Sequence, residues 1–187
     1  MMLETVHKWR GFLVALPVIF SIFCFVGEYE NERLIWPIGI IVFAAGWVLR
    51  MWAQKHLGYR LKINRRMTTS GPYALVRNPI YIANTLVILG VVVMSEVVWM
   101  LPATVLWCAL IYSFVVRYEE GRLAAKYGRD YLEYLQAVPR WLPRLARPTG
   151  EAHFKSSGGQ ILLAELYVLF IVAAPLVKEF VVEPFLE

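Results

Sequence analysis

TTSGPYALVRNPIY (Thr68 to Tyr81) and RYEEGRLAAKYGRDYLEYLQAVPRWLP (Arg117 to Pro143) are polar stretches set between hydrophobic runs. Between them lie two apolar runs, Pro79 to Met94 and Val97 to Val116, joined only by Ser95-Glu96. That pattern reads as a helical hairpin with a polar segment at each end. Working outward, Leu34 to Ala53 and Gly11 to Val26 are further apolar runs upstream, and Ile161 to Val177 is one downstream. About 20 apolar residues span a bilayer as a helix. The chain is 187 residues long and 59% hydrophobic, with a mean hydropathy of +0.54. Such values exclude an ordinary soluble domain. The expected fold is all-α: a single membrane domain over 1–187, a polytopic helical bundle of about five spans at 11–26, 34–53, 79–94, 97–116 and 161–177.

The first run follows Lys8 and Arg10, as a signal peptide would. No small-x-small cleavage site precedes Glu28, and more spans follow, so it reads as a helix of the bundle. The fifth run carries Glu165 and Pro175 and could instead lie at the interface. Cys24 and Cys108 sit inside apolar runs and read as small buried hydrophobes. No metal ligand set is expected.

Charge sets the expected orientation. Arg50 to Arg77 contains seven Lys or Arg and no Asp or Glu. The N-terminus and the 117–159 segment are also basic, whereas the 28–33 connection, the Ser95-Glu96 turn and the C-terminus are not. Five spans and the bias of basic loops toward the cytoplasm put the N-terminus and both polar stretches in the cytoplasm, with the C-terminus outside. The membrane would be the plasma or inner membrane in a prokaryote and the endoplasmic reticulum in a eukaryote. The net charge of +5 fits anionic lipid and gives no reason to expect nucleic acid.

Ionisable side chains at a membrane edge are costly and point to function. In the first stretch, Gly71-Pro72 is a turn signal, Asn78 reads as an N-cap and Pro79 as the first helical residue. Arg77 stands just before a helix whose N-terminus already carries a positive dipole end. It needs an anion there, either a lipid headgroup or a bound carboxylate gripped by its planar fork. Tyr73 and Tyr81 are interfacial aromatics or the walls of a site for a planar ligand.

The second stretch should continue the fourth helix to about Tyr127. Gly128 ends it, and Asp130 is placed to cap another helix through about Val138. Leu123, Tyr127, Tyr131, Tyr134 and Val138 would share one face of a continuous helix. That face suits either the membrane surface or a ligand. Glu119 and Glu120 either pair with Arg117 and Arg122 or hold a cationic centre, an amino group or ribose hydroxyls.

These residues resemble the isoprenylcysteine carboxyl methyltransferases and, more loosely, the phospholipid N-methyltransferases. The resemblance rests on Thr69-Ser70-Gly71-Pro72-Tyr73, Arg77-Asn78-Pro79-Ile80-Tyr81-Ile82-Ala83, Glu119-Glu120, Tyr127-Gly128-Arg129-Asp130-Tyr131-Leu132-Glu133-Tyr134, Val138-Pro139 and Leu142-Pro143. It covers about residues 54 to 143. Two positions depart from the family pattern: Asn78 replaces a histidine of the cofactor site, and Ala83 replaces a glycine. Asn78 keeps hydrogen-bonding capacity but cannot titrate. Ala83 adds a methyl group where close helix approach is expected.

The resemblance implies S-adenosylmethionine as cofactor and a lipidic acceptor entering from the bilayer, a prenylated or isoprenoid-type carboxylate above all. It places the cofactor near Tyr73, Arg77, Asn78, Pro79, Tyr81, Glu119, Glu120, Tyr131 and Tyr134. Arg77 would orient a carboxylate nucleophile, and Glu120 would accept a proton from an amine nucleophile. Three other readings stay open: a lipid amine as acceptor, a nicotinamide-dependent sterol or isoprenoid reductase, and a non-catalytic membrane scaffold. No G-x-G-x-x-G motif follows a strand, so a Rossmann-type methyltransferase is not expected.

Overall fold

The computed structural model describes residues 2–29, 31–57, 67–145, 159, 166, 168 and 170–182. Among these residues there are helices and turns and no strand. The main elements are α1 (Met2–Phe23), α2 (Glu32–Leu57), α3 (Pro79–Met94), α4 (Leu101–Tyr127), α5 (Arg129–Ala137) and the short α6 (Ala173–Val177).

Among the described residues, three helical stretches are long and apolar enough to cross a membrane: Met2–Phe23, Glu32–Leu57 and Val98–Tyr127. Their outward faces carry Phe12, Phe20, Ile41, Val48 and Leu106, all exposed. An apolar outer surface is the arrangement a lipid solvent requires. Of the about five spans expected, three are long enough among the described residues. The 16 residues of α3 rise only about 24 Å, against about 30 Å of hydrocarbon. Asn78-Pro79 fixes one end of α3 and the Ser95-Glu96 turn fixes the other, with Glu96 at φ 67°. Most of the fifth run, including Glu165, lies outside the described residues, as do 58–66 of the basic loop and the tail beyond 182. The described part holds α6 and a π turn, Lys178–Val182.

The tightest packing is between α2 and α3, and glycines permit it. A Cβ on Gly46 would lie 2.8 Å from the Ala83 carbonyl oxygen, and one on Gly90 would lie 2.6 Å from the Phe43 nitrogen. Small residues let helix backbones approach in a membrane, where dispersion replaces the hydrophobic drive. Ala83 is fully buried at this contact. Gly46 on α2 supplies the close approach that Ala83 on α3 does not.

Helix α1 packs on α4, where Trp107 Nε1 donates to the Leu13 carbonyl at 2.8 Å. At the end near the Ser95-Glu96 turn, Ser21 Oγ donates to Ser95 Oγ, and Lys178 Nζ donates to the Ser95 carbonyl and pairs with Glu28. These bonds satisfy polar groups that would be costly unpaired in an apolar core.

Helix α4 ends at Tyr127 as expected. Gly128 adopts φ 57°, a backbone state glycine reaches without a Cβ penalty. Gly128, not Asp130, occupies the cap position of α5, and Asp130 lies in its first turn. Asn78 likewise precedes α3 but makes no side-chain cap. Its side chain goes elsewhere.

Candidate functional site

The two polar stretches meet. Tyr134 Oη donates to the Tyr73 carbonyl at 2.8 Å. The Arg77 amide donates to the Pro139 carbonyl at 2.9 Å, and the Arg144 amide to the Leu75 carbonyl at 3.0 Å. Asn78 Nδ2 donates to the Arg140 carbonyl at 3.2 Å. Residues 138–144 thus form a strap along 74–78. Satisfying that carbonyl takes the Asn78 side chain away from capping α3.

The turn Gly71–Ala74 is buried under the end of α2. Gly71 has φ 59°, and a Cβ there would sit 2.4 Å from the His56 ring. His56 Nδ1 and Ser70 Oγ are 2.9 Å apart. This contact fixes Tyr73 at the floor of the site.

Glu120 lies at the centre of the charge network. It accepts from Arg77 Nη1 at 3.0 Å, from Arg140 Nε at 3.1 Å and from Arg140 Nη2 at 2.5 Å. Of the two readings open for the glutamates, pairing with Arg117 and Arg122 is not what forms. On α4, Glu120 faces the strap, so it meets Arg77 and Arg140. Glu119 instead accepts from Tyr81 Oη at 2.7 Å and lies 3.5 Å from His7 Nδ1. The cation before α3 is thus balanced by Glu120, which offsets the unfavourable helix dipole.

Two cavities flank this network. One of about 300 Å³ is lined by Thr68, Tyr73, Arg77, Asn78, Glu119, Glu120, Leu123, Lys126, Tyr127, Tyr131 and Tyr134, with Leu57 and Met67. The stripe expected on one continuous helix is bent at Gly128, and the bend makes it concave. Leu123 and the three tyrosines line the cavity, and Val138 is buried beside it. Burial raises the Tyr131 phenol to about 12, with the Glu120 charge adding to the effect. Burial also raises the phenols of Tyr73 and Tyr134 above the usual range. All three stay protonated and can donate hydrogen bonds at neutral pH.

The second cavity, about 540 Å³, runs between the helices and is walled by Arg10, Arg50, Gln54, Pro79, Tyr81, Asn84 and Tyr112 as well as residues of the first. Leu57, Tyr73, Arg77, Asn78, Glu119 and Leu123 line both cavities. Sequence reasoning missed Arg10, Arg50, Gln54, Asn84, Tyr112 and Arg140. A signal was present: Arg50, Gln54 and Asn84 are polar residues at the edge of or within apolar runs, and such residues face a bundle interior or cavity. Arg50 donates to Asn84 Oδ1.

The cavities also hold unspent hydrogen-bonding capacity. Gln54 Oε1, Tyr73 Oη and Arg77 Nε are buried and form no hydrogen bond. An orphaned buried polar atom costs about 1–3 kcal/mol. Three around one pair of cavities fit a polar ligand that supplies their partners. Among the described residues, no group of His, Cys, Asp or Glu is arranged to hold a metal ion.

Residues 33–130 match a family model described as phospholipid methyltransferase. The chain belongs to that family, a group of membrane methyltransferases. The matched range contains Arg50, Tyr73, Arg77, Glu119 and Glu120, and excludes Arg10, Tyr131, Tyr134 and Arg140. The chain is 34% identical over 119 residues to the cobalt-zinc-cadmium resistance protein CzcN of Cupriavidus metallidurans, covering 64% of this chain and 54% of that one. It is 28% identical over 109 residues to the nickel-cobalt-cadmium resistance protein NccN of Alcaligenes xylosoxydans xylosoxydans, covering 58% of this chain and 50% of that one. The chain thus spans about half the length of the curated relatives it matches. No solved structure matches it.

Proposed function

We propose that this protein is an integral membrane methyltransferase that uses S-adenosylmethionine and methylates a lipid-borne carboxylate. The observation that carries the reading is the junction of the two cavities at Tyr73, Arg77, Asn78 and Glu119. A methyl donor and an acceptor must meet in line, and holding them there supplies much of the acceleration.

The tyrosine-lined cavity suits the cofactor. Its carboxylates, Glu119 and Glu120, suit an amino group or ribose hydroxyls, and Tyr73, Tyr131 and Tyr134 offer flat faces and hydroxyls. Bound there, the cofactor supplies an electrophilic methyl group. Arg77 lines both cavities, is held by Glu120 through Nη1 and keeps its Nε without a hydrogen bond. That Nε–H orients a carboxylate oxygen.

The second cavity suits the acceptor. Arg10 and Arg50 line it together with Arg77, whose charge Glu120 already offsets, and Glu119 is the one carboxylate among its lining residues. In a low-dielectric setting that balance favours an anionic head. A carboxylate nucleophile loses no proton on methylation, so no base is required.

One observation favours a lipid amine instead. Glu119 lines both cavities and holds the Tyr81 hydroxyl, so it can accept a proton from an amine. The test is methyl transfer from labelled S-adenosylmethionine to an alkyl carboxylate and to an amino lipid. A label released as methanol by mild base is an ester, the expected result. A label stable to base is an N-methyl group and favours the amine. No transfer to either acceptor counts against the reading.

A further inference from the structure

His7 stands on the second turn of α1, outside the stretch that matches the family model. Its Nδ1 lies 3.5 Å from Glu119 Oε1, the same oxygen that accepts from Tyr81 Oη at 2.7 Å. Its ring lies against the Tyr118 ring of α4, with centroids 4.8 Å apart. Arg10, one turn further along α1, places Nη1 2.9 Å from His7 Nε2 and 3.2 Å from His7 Nδ1, and donates to the His7 carbonyl at 3.0 Å. Arg122 of α4 is the other charge that acts on the ring. The His7 and Glu119 side chains are 20% and 32% exposed, so the pair can exchange protons with water.

We propose that His7 is a positioning residue for Glu119: its protonation draws the carboxylate into an ion pair and weakens the hold of the tyrosine-lined cavity on a cationic ligand. The proposal rests on the methyltransferase reading, in which that ligand is S-adenosylmethionine, and deepens it by a pH control. Histidine is the side chain whose charge ordinarily changes between about pH 5 and 8. A neutral imidazole has one acceptor nitrogen, which Arg10 Nη1 is placed to use. Glu119 then keeps its charge for the cavities it lines, with Tyr81 holding one oxygen in place. A protonated imidazole has only donors. It repels Arg10 and donates to Glu119, so a cation stands where the ligand's amino and sulfonium groups need an anion. Both the lost carboxylate and the added cation lower affinity as pH falls. A ring that only packed α1 onto Tyr118 would need neither polar partner.

The test titrates S-adenosylmethionine calorimetrically into the detergent-purified protein from about pH 5.5 to about pH 8. Wild type should bind about threefold more weakly at the acid end, the scale of a partly exposed ion pair. His7→Gln is neutral and polar and should keep the high-pH affinity across the range. His7→Phe keeps a ring against Tyr118 and should do the same, and either variant suffices if the other does not fold. The ligand's own titration is common to all three proteins and cancels in the comparison. A ligand-free double-mutant cycle of His7→Gln and Glu119→Gln, read as thermal midpoints, should show coupling at about pH 5.5 that shrinks at about pH 8.

The same pH dependence of binding in wild type and variants would overturn the proposal and leave the cofactor site standing. An equal loss of affinity at every pH in the variants would assign His7 to packing and would overturn it too. So would a coupling to Glu119 that is absent or does not change with pH. Coupling that changes with pH, without S-adenosylmethionine binding at any pH, would support the His7–Glu119 control while removing the methyltransferase reading.

Discussion

Arg77 Nη1 donates to Glu120 Oε1 at 3.0 Å, a contact between residues 43 apart in sequence. It joins the turn before α3 to the end of α4, and Arg140 closes the network from the strap. Both partners are largely buried, with side-chain exposures of 14% and 12%. Breaking a buried pair by removing one partner is costly because the other charge stays behind. Glu120→Gln should therefore destabilise the protein by about 3 kcal/mol, read as a lower thermal midpoint in detergent. Arg77→Met combined with Glu120→Gln should recover part of the loss. A loss in the double variant equal to the sum of the Glu120→Gln and Arg77→Met losses would mean the pair is not coupled.

Tyr134 ties α5 to the Gly71–Ala74 turn through a single hydrogen bond to the Tyr73 carbonyl. Tyr134→Phe keeps the ring and removes that bond, at a cost of about 1 kcal/mol. Hydrogen exchange should speed up in residues 71–78, with little change in α1. Uniform exchange across the chain would contradict the local tie.

Gly46 has no room for a side chain against α3. Gly46→Val should destabilise by about 1–3 kcal/mol, as overpacking does. Ala83→Gly should be far milder, because α2 already supplies the close approach. Thermal midpoints of the two variants, measured side by side, decide this. A larger loss in Ala83→Gly would overturn the packing argument.

Glu96 stands at the other end of the bundle, near Glu28, Glu32, Glu179 and Lys178. Burial first, then the neighbouring carboxylates, raise its carboxyl from the usual 4.5 to about 7. The folded state therefore holds this proton more tightly than the unfolded chain. Its contribution to stability is greatest at low pH and is lost as pH rises toward about 7. Glu96→Gln should flatten the pH dependence of the thermal midpoint between about pH 5 and 8. The same slope in wild type and variant would contradict this assignment.

Local signals were legible in the sequence where one residue decides the outcome. Gly128 ends α4 because glycine tolerates its φ, and Pro79 starts α3 because its nitrogen needs no partner. The polar stretches also gave Tyr73, Arg77, Asn78, Pro79, Tyr81, Glu119, Glu120, Tyr131 and Tyr134 as neighbours; all but Pro79 and Tyr81 line one cavity, and those two line the adjoining one. Partner choice was not legible. Which arginine meets Glu120 depends on how the strap folds back, and local spacing suggested Arg117 and Arg122 instead. The second cavity takes Arg10, Arg50 and Asn84 from three helices, so no single segment announces it. The span count depended on run length alone, which cannot separate a short membrane helix from a buried one.

The most direct test of the central claim is calorimetric titration of S-adenosylmethionine, and of its demethylated product, into the detergent-purified protein. Tyr73→Phe and Glu120→Gln are titrated beside wild type, with thermal midpoints confirming that each is folded. The account predicts saturable binding of both ligands to wild type. It also predicts binding weakened by about tenfold or more, about 1.4 kcal/mol, in Glu120→Gln, and a smaller loss in Tyr73→Phe. No binding of either ligand to well-folded wild-type protein would contradict it.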